Sequence, residues 1–137
     1  MVGMTSQTPP VPERFAGVLD WVPAYGHALR RVGRSFDVVR IDGDYGGAVA
    51  ARLFAADRAP GPVVVDRSRR HAVYFFVAPG AGAGYRWPSG TSYLGRRAGE
   101  VYVGVPALEG ETWPLSWRCP PRPERPFVDA AVLHAAL

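Results

Sequence analysis

The chain has 137 residues, 47% of them hydrophobic and 20% charged, with a net charge of +4 and a pI near 9.7. That length and balance describe one globular domain and exclude a disordered chain. No apolar run approaches the roughly 20 residues that span a bilayer, and the first residues lack a charged-then-apolar leader, so a cytoplasmic protein without membrane attachment is expected.

Residues 1–12 hold Ser, Thr, Gln and three prolines and read as a flexible N-terminal tail. A single domain is expected over 13–137. From Phe15 to Val32 the apolar residues recur at three- and four-residue steps, which predicts helix, broken by Pro23 into two short pieces. Arg30, Arg31 and Arg34 would then lie at a helix C-terminus, where cations suit the dipole. Phe36–Ile41 reads as a strand, Asp42-Gly43-Asp44 as a turn, and Tyr45–Ala56 as a helix capped by Asp44.

Pro62–Val65 is a short buried strand, followed by a polar turn over Asp66–Arg70. His71–Val77 is the strongest strand in the chain. Pro79–Gly84 is a Gly/Ala loop and Tyr85–Gly90 is irregular. Thr91–Leu94, Glu100–Val105 and Trp113–Arg118 read as further strands, and Phe127–Leu137 as a closing helix with Asp129 near its start. Helices set apart from a run of strands predict an α+β fold, a mainly antiparallel sheet with helices packed on one side.

Several residues carry candidate chemistry. Asp42 and Asp44, two apart at a strand end, are candidate metal ligands, because paired carboxylates hold Mg²⁺ or Mn²⁺ against a triphosphate. With Gly43 between them they read equally as an Asx turn and a helix cap. His71 is a candidate catalytic residue, a phosphate contact or proton donor; it reads equally as a polar residue at a hairpin mouth. Arg67, Arg69 and Arg70 in the hairpin, with Arg96 and Arg97 in a later loop, are candidate nucleic-acid contacts, against a solvated hairpin tip. All 16 positions that are Lys or Arg are Arg, there is no Asn, and Ile occurs once. That pattern follows GC-rich codons and weakens the Arg excess as evidence for phosphate binding. Tyr74, Phe75 and Phe76 invite comparison with base-stacking sheets, yet three adjacent strand residues cannot share a face. Gly80-Ala-Gly-Ala-Gly84 lacks the helix and the Gly-Lys-Ser/Thr of a phosphate loop. Trp87, Trp113 and Trp117 are expected to pin loops onto the sheet. The one cysteine, Cys119, has no partner for a disulfide or a zinc site and is expected to pack as a small hydrophobe.

From Phe36 to the C-terminus, Phe36-Asp37-Val38-Val39-Arg40, Gly61-Pro62-Val63-Val64-Val65-Asp66, Val73-Tyr74-Phe75-Phe76-Val77-Ala78-Pro79-Gly80, Tyr93-Leu94-Gly95, and the strand from Val101 to Pro106 leading to Trp117 resemble one family. It is the N-terminal primase/polymerase (prim-pol) domain of actinobacterial and phage replication proteins, an archaeo-eukaryotic primase-like fold. The resemblance covers about three-quarters of the chain and implies an acidic pair at Asp42 and Asp44, and a second motif at Ser68 and His71. Glu100 is the only acid after His71 in a tolerable position for the third carboxylate, since Asp66 precedes the histidine. His71 lies three residues before Tyr74, where the family has two, which directs it to the other strand face. The resemblance therefore implies a catalytically degenerate prim-pol-like domain with a regulatory or binding role. The alternatives are a nucleic-acid-binding module using the Arg hairpin, and an active metal-dependent primase or polymerase. The expected partners are nucleic acid or protein. No cofactor is expected, save Mg²⁺ or Mn²⁺ in the active case.

Overall fold

The computed structural model describes residues 19–137. The expected tail over 1–12 and residues 13–18 lie outside that range. The described chain runs β1 (His27–Arg31), β2 (Asp37–Asp42), α1 (Gly43–Ala56), β3 (Val63–Asp66), β4 (Ala72–Val77), β5 (Thr91–Leu94), a 3-10 turn (Arg96–Ala98), β6 (Tyr102–Pro106), β7 (Leu115–Cys119) and α2 (Ala130–Ala135). Five strands form an antiparallel sheet in the order β5-β2-β4-β3-β7, and β1 and β6 form a separate antiparallel ribbon. The fold is α+β.

Both faces of the five-stranded sheet are covered. On one face Val39, Ile41, Val63, Val73, Phe75 and Val77 pack with Val49, Ala50 and Leu53 of α1 and Leu133 of α2. The buried positions of α1, Gly46, Val49, Ala50 and Leu53, repeat at helical spacing. Gly46 is the point of closest approach: a Cβ there would lie 2.9 Å from the Ile41 carbonyl oxygen and from Val73. On the opposite face Val38, Val64 and Phe76 pack with Phe36, Trp21, Val103 and Val105, so the ribbon and the segment before it cover this side. Trp21 stacks on Phe76 at 5.3 Å, and Phe36 lies 4.9 Å from Phe76. Burial on both faces explains the near-continuous apolar runs of β2, β3 and β4. Both helices lie on one face, as expected. Of the three adjacent aromatics, Phe75 enters the helix-side core, while Tyr74 and Phe76 face the ribbon side.

Four local expectations are corrected. The segment read as helix up to Val32 contains β1. His27, Leu29 and Arg31 are exposed while Ala28 and Val32 are buried, a period of two. Leu29, counted in the helical stripe, is 67% exposed. The helix after β2 starts at Gly43 with Asp42 as its N-cap residue, whose side chain makes no capping hydrogen bond; Asp44 lies within the first turn, where its charge suits the dipole. β4 begins at Ala72, and His71 stays in the turn with a left-handed φ of 37°. Trp113 is 65% exposed, whereas Trp117 donates from Nε1 to the Pro106 carbonyl at 2.9 Å. The expected cap at Asp129 is present: its carboxylate accepts from the Ala131 and Val132 amides at 2.9 and 3.2 Å. Cys119 is buried and free.

Candidate functional site

Strand β2 organises the candidate residues, because an aspartate stands at each of its ends. Asp37 begins it and Asp42 closes it. Six residues at the usual strand rise separate the two ends by roughly 17 Å.

The Asp42 end is open. Asp42 pairs in register with Ala72, which sets the hairpin Asp66–His71 beside the start of α1. Arg40, two residues earlier on the same strand face, donates from Nη1 to Asp42 Oδ1 at 3.1 Å. Its guanidinium also lies 6.0 Å from the Tyr74 ring centroid. Burial would lower the Arg40 pKa, but Tyr74 and Asp42 together outweigh it and hold the guanidinium above its ordinary value. Asp44 turns instead toward His71, with Oδ1 at 4.0 Å from Nε2. The imidazole lies over Gly43, where a Cβ would fall 1.9 Å from the ring. Asp42, Asp44 and His71 are thus neighbours, but each acid is directed at a different partner. All three are exposed. Among the described residues no group of three His, Cys, Asp or Glu side chains could hold a metal ion.

The hairpin holds its shape through its own polar atoms. Asp66, buried, accepts from the Ser68 amide at 2.8 Å, so the Asx turn forms here and not at Asp42. Ser68 accepts from the Arg70 amide through its hydroxyl, and from the His71 amide through its carbonyl at 2.9 Å. Arg67 donates from Nη1 to Ser116 Oγ at 2.5 Å, which ties the hairpin to β7. Arg69 and Arg70 project into solvent.

Arg96 and Arg97 do not join that hairpin. β5 runs antiparallel to β2, with Leu94 opposite Val38, so the 3-10 turn after β5 lies at the Asp37 end. The five candidate arginines therefore divide into two groups at opposite ends of the sheet. Glu100 also belongs to the far end. It accepts from the Tyr102 hydroxyl at 3.1 Å, and the adjacent Val101 carbonyl accepts from the Val32 amide at the end of the ribbon.

The Asp37 end is enclosed, and the sequence reading missed it. Asp37 is 2% exposed. Its Oδ2 accepts from the Gly80 amide at 2.7 Å and from the Tyr93 hydroxyl in a short hydrogen bond. Its Oδ1 is buried with no hydrogen-bond partner among the described residues. Burial, and then the bond to Asp37, push the Tyr93 phenol up to about 12. Gly95 leaves room for this pair: a Cβ there would lie 3.0 Å from Asp37 Oδ2 and 3.2 Å from the Tyr93 hydroxyl. A cavity of about 620 Å³ opens here, lined by Asp37, Gly80, Tyr93, Gly95, Arg96 and Arg97 among others. A second hollow of about 380 Å³, lined by Arg31, Arg34 and Arg96, shares Gly33 and Arg96 with it. The sequence signal was an acid inside a run otherwise destined for burial on both faces, since such an acid needs partners.

Comparison of the chain with protein-family models, curated proteins and solved structures returns no significant match.

Proposed function

We propose that the chain is a non-catalytic, prim-pol-like domain with a binding or regulatory role. The observation that carries this reading is the Arg40–Asp42 pair at 3.1 Å. Asp42, the acid on which a nucleotidyl transferase would rely for a divalent ion, is already paired through Oδ1 with the protein's own guanidinium. The remaining acid, Asp44, faces His71 in open solvent, and exposed single carboxylates hold Mg²⁺ or Mn²⁺ weakly. The candidate third acid, Glu100, stands at the other end of the sheet, which further supports a lost catalytic set. A Mn²⁺ titration followed by electron paramagnetic resonance tests the reading. Wild type and the Asp42→Asn/Asp44→Asn variant are expected to take up the ion equally weakly. A tight site lost in the variant would overturn the reading.

A second reading, nucleic-acid binding through the hairpin, is favoured by Arg69 and Arg70, which are exposed and enter no ion pair among the described residues. It predicts affinity for single-stranded DNA that falls with salt, and loss of that affinity when Arg69 and Arg70 are both changed to Ala. Fluorescence anisotropy measures both. Unchanged affinity in the double variant removes this mode of binding.

A further inference from the structure

We infer that the enclosed Asp37 end is a binding site for a small molecule carrying an ammonium or N–H donor at one end and a phosphate or carboxylate at the other. The inference is independent of whether the open end keeps any catalysis. It rests on the charge pattern of the cavity and on an imbalance in how Asp37 is used.

The hydrogen bonds that tie Asp37 to its surroundings, from the Gly80 amide and the Tyr93 hydroxyl, both go to Oδ2. A latch between β2, the loop after β4 and β5 thus needs a single acceptor oxygen, which an asparagine would supply without a buried charge. Oδ1 has no partner among the described residues. A buried carboxylate with one oxygen unanswered is costly, and here it forms part of the wall of a cavity of about 620 Å³. That volume lies in the range of small-molecule sites.

The rest of the wall supplies the opposite charge. Arg96 and Arg97 line the same cavity, and Arg31 and Arg34 line the hollow that adjoins it across Gly33 and Arg96. None of these four arginines enters an ion pair among the described residues. The contact between the two hollows is fixed by backbone: Gly33 has a φ of 97°, and a Cβ there would lie 2.8 Å from the Arg96 Cα. Two arginines on the cavity and two on the adjoining hollow suit an anion, since the planar guanidinium fork matches phosphate or carboxylate oxygens. The single carboxylate behind them selects, among anions, those that also bring a donor.

Phosphoethanolamine carries both groups; inorganic phosphate and ethanolamine each carry one. In amide NMR titrations of the full chain, phosphoethanolamine is expected to shift Gly80, Gly95 and Arg96 and to bind about tenfold more tightly than phosphate, the worth of one charge-assisted hydrogen bond. Asp37→Asn keeps an acceptor for the latch and should make the two probes equal. The Arg96→Ala/Arg97→Ala variant alters only exposed side chains, so it should fold and should weaken both anions. Equal affinity of the two anions for wild type overturns the inference, and so does the absence of shifts at Gly80 and Gly95. Weakening by Asp37→Asn of inorganic phosphate as much as of phosphoethanolamine overturns it too.

Discussion

Asp37 and Asp42 stand at opposite ends of one strand, and their surroundings treat the same carboxylate in opposite ways. Asp37 is shut in by two loops, holds the Gly80 amide and the Tyr93 hydroxyl, and faces a cavity. Asp42 is exposed and rests against Arg40 on its own strand. The difference follows from what each end connects to. At the Asp42 end the chain leaves into a helix and a tight hairpin, which satisfy their polar groups locally. At the Asp37 end the ribbon, the Gly-rich loop and the 3-10 turn converge, and enclosure makes each polar group depend on its neighbours. An acid at a strand end says little by itself; its chemistry is set by whether the adjoining loops close over it.

Removing each carboxylate should expose this contrast. Asp37→Ala removes the buried acceptor that holds the Gly80 amide and the Tyr93 phenol, and is expected to destabilise by about 3 kcal/mol in urea denaturation. Gly95→Ala places a Cβ 3.0 Å from Asp37 Oδ2 and should cost about 1–2 kcal/mol. Asp42→Ala and Asp44→Ala, at the open end, should each change stability by less than about 0.5 kcal/mol. Gly43→Ala should be near neutral: the new methyl displaces the exposed His71 ring, which is free to swing away, and the substitution gains helix propensity. If Asp42→Ala proves as damaging as Asp37→Ala, the two ends are not distinct in the way described.

The pH dependence sharpens the same comparison. The Tyr93 phenol is raised from its ordinary value of 10.0 to about 12 in the folded chain. Its contribution is therefore fully present below pH 10 and is lost as the pH rises from 10 through 12. The difference in stability between wild type and Tyr93→Phe should be constant up to about pH 9 and shrink across that window, read from chemical denaturation at each pH. A difference that does not change across the window contradicts the bond to a buried Asp37.

Much of the sheet was legible because β2, β3 and β4 are buried on both faces and their apolar runs have no competing explanation. β1 was not legible, since Ala28, Leu29 and Val32 fit a helical stripe, and pairing with β6 decided the matter. The open end was legible in its residues, because acids, a histidine and arginines at turns stand out in sequence. Their partners were not, since the choice of Arg40 by Asp42 depends on a strand continuing through Asp42 where the sequence suggested a turn. The division of the arginines into two groups follows from the antiparallel register of β5 on β2, which no local pattern encodes. Asp37 was hidden in the stretch Phe36-Asp37-Val38 because strand signals dominate there, and its partners arrive from residues 80 and 93–95, distant in sequence.

The most direct test of a binding rather than a catalytic domain is nucleotide incorporation on primed and unprimed templates with Mg²⁺ or Mn²⁺, comparing wild type with Asp42→Asn/Asp44→Asn. No template-dependent incorporation above the buffer blank is predicted for either protein. Incorporation by wild type that disappears in the variant would contradict the account.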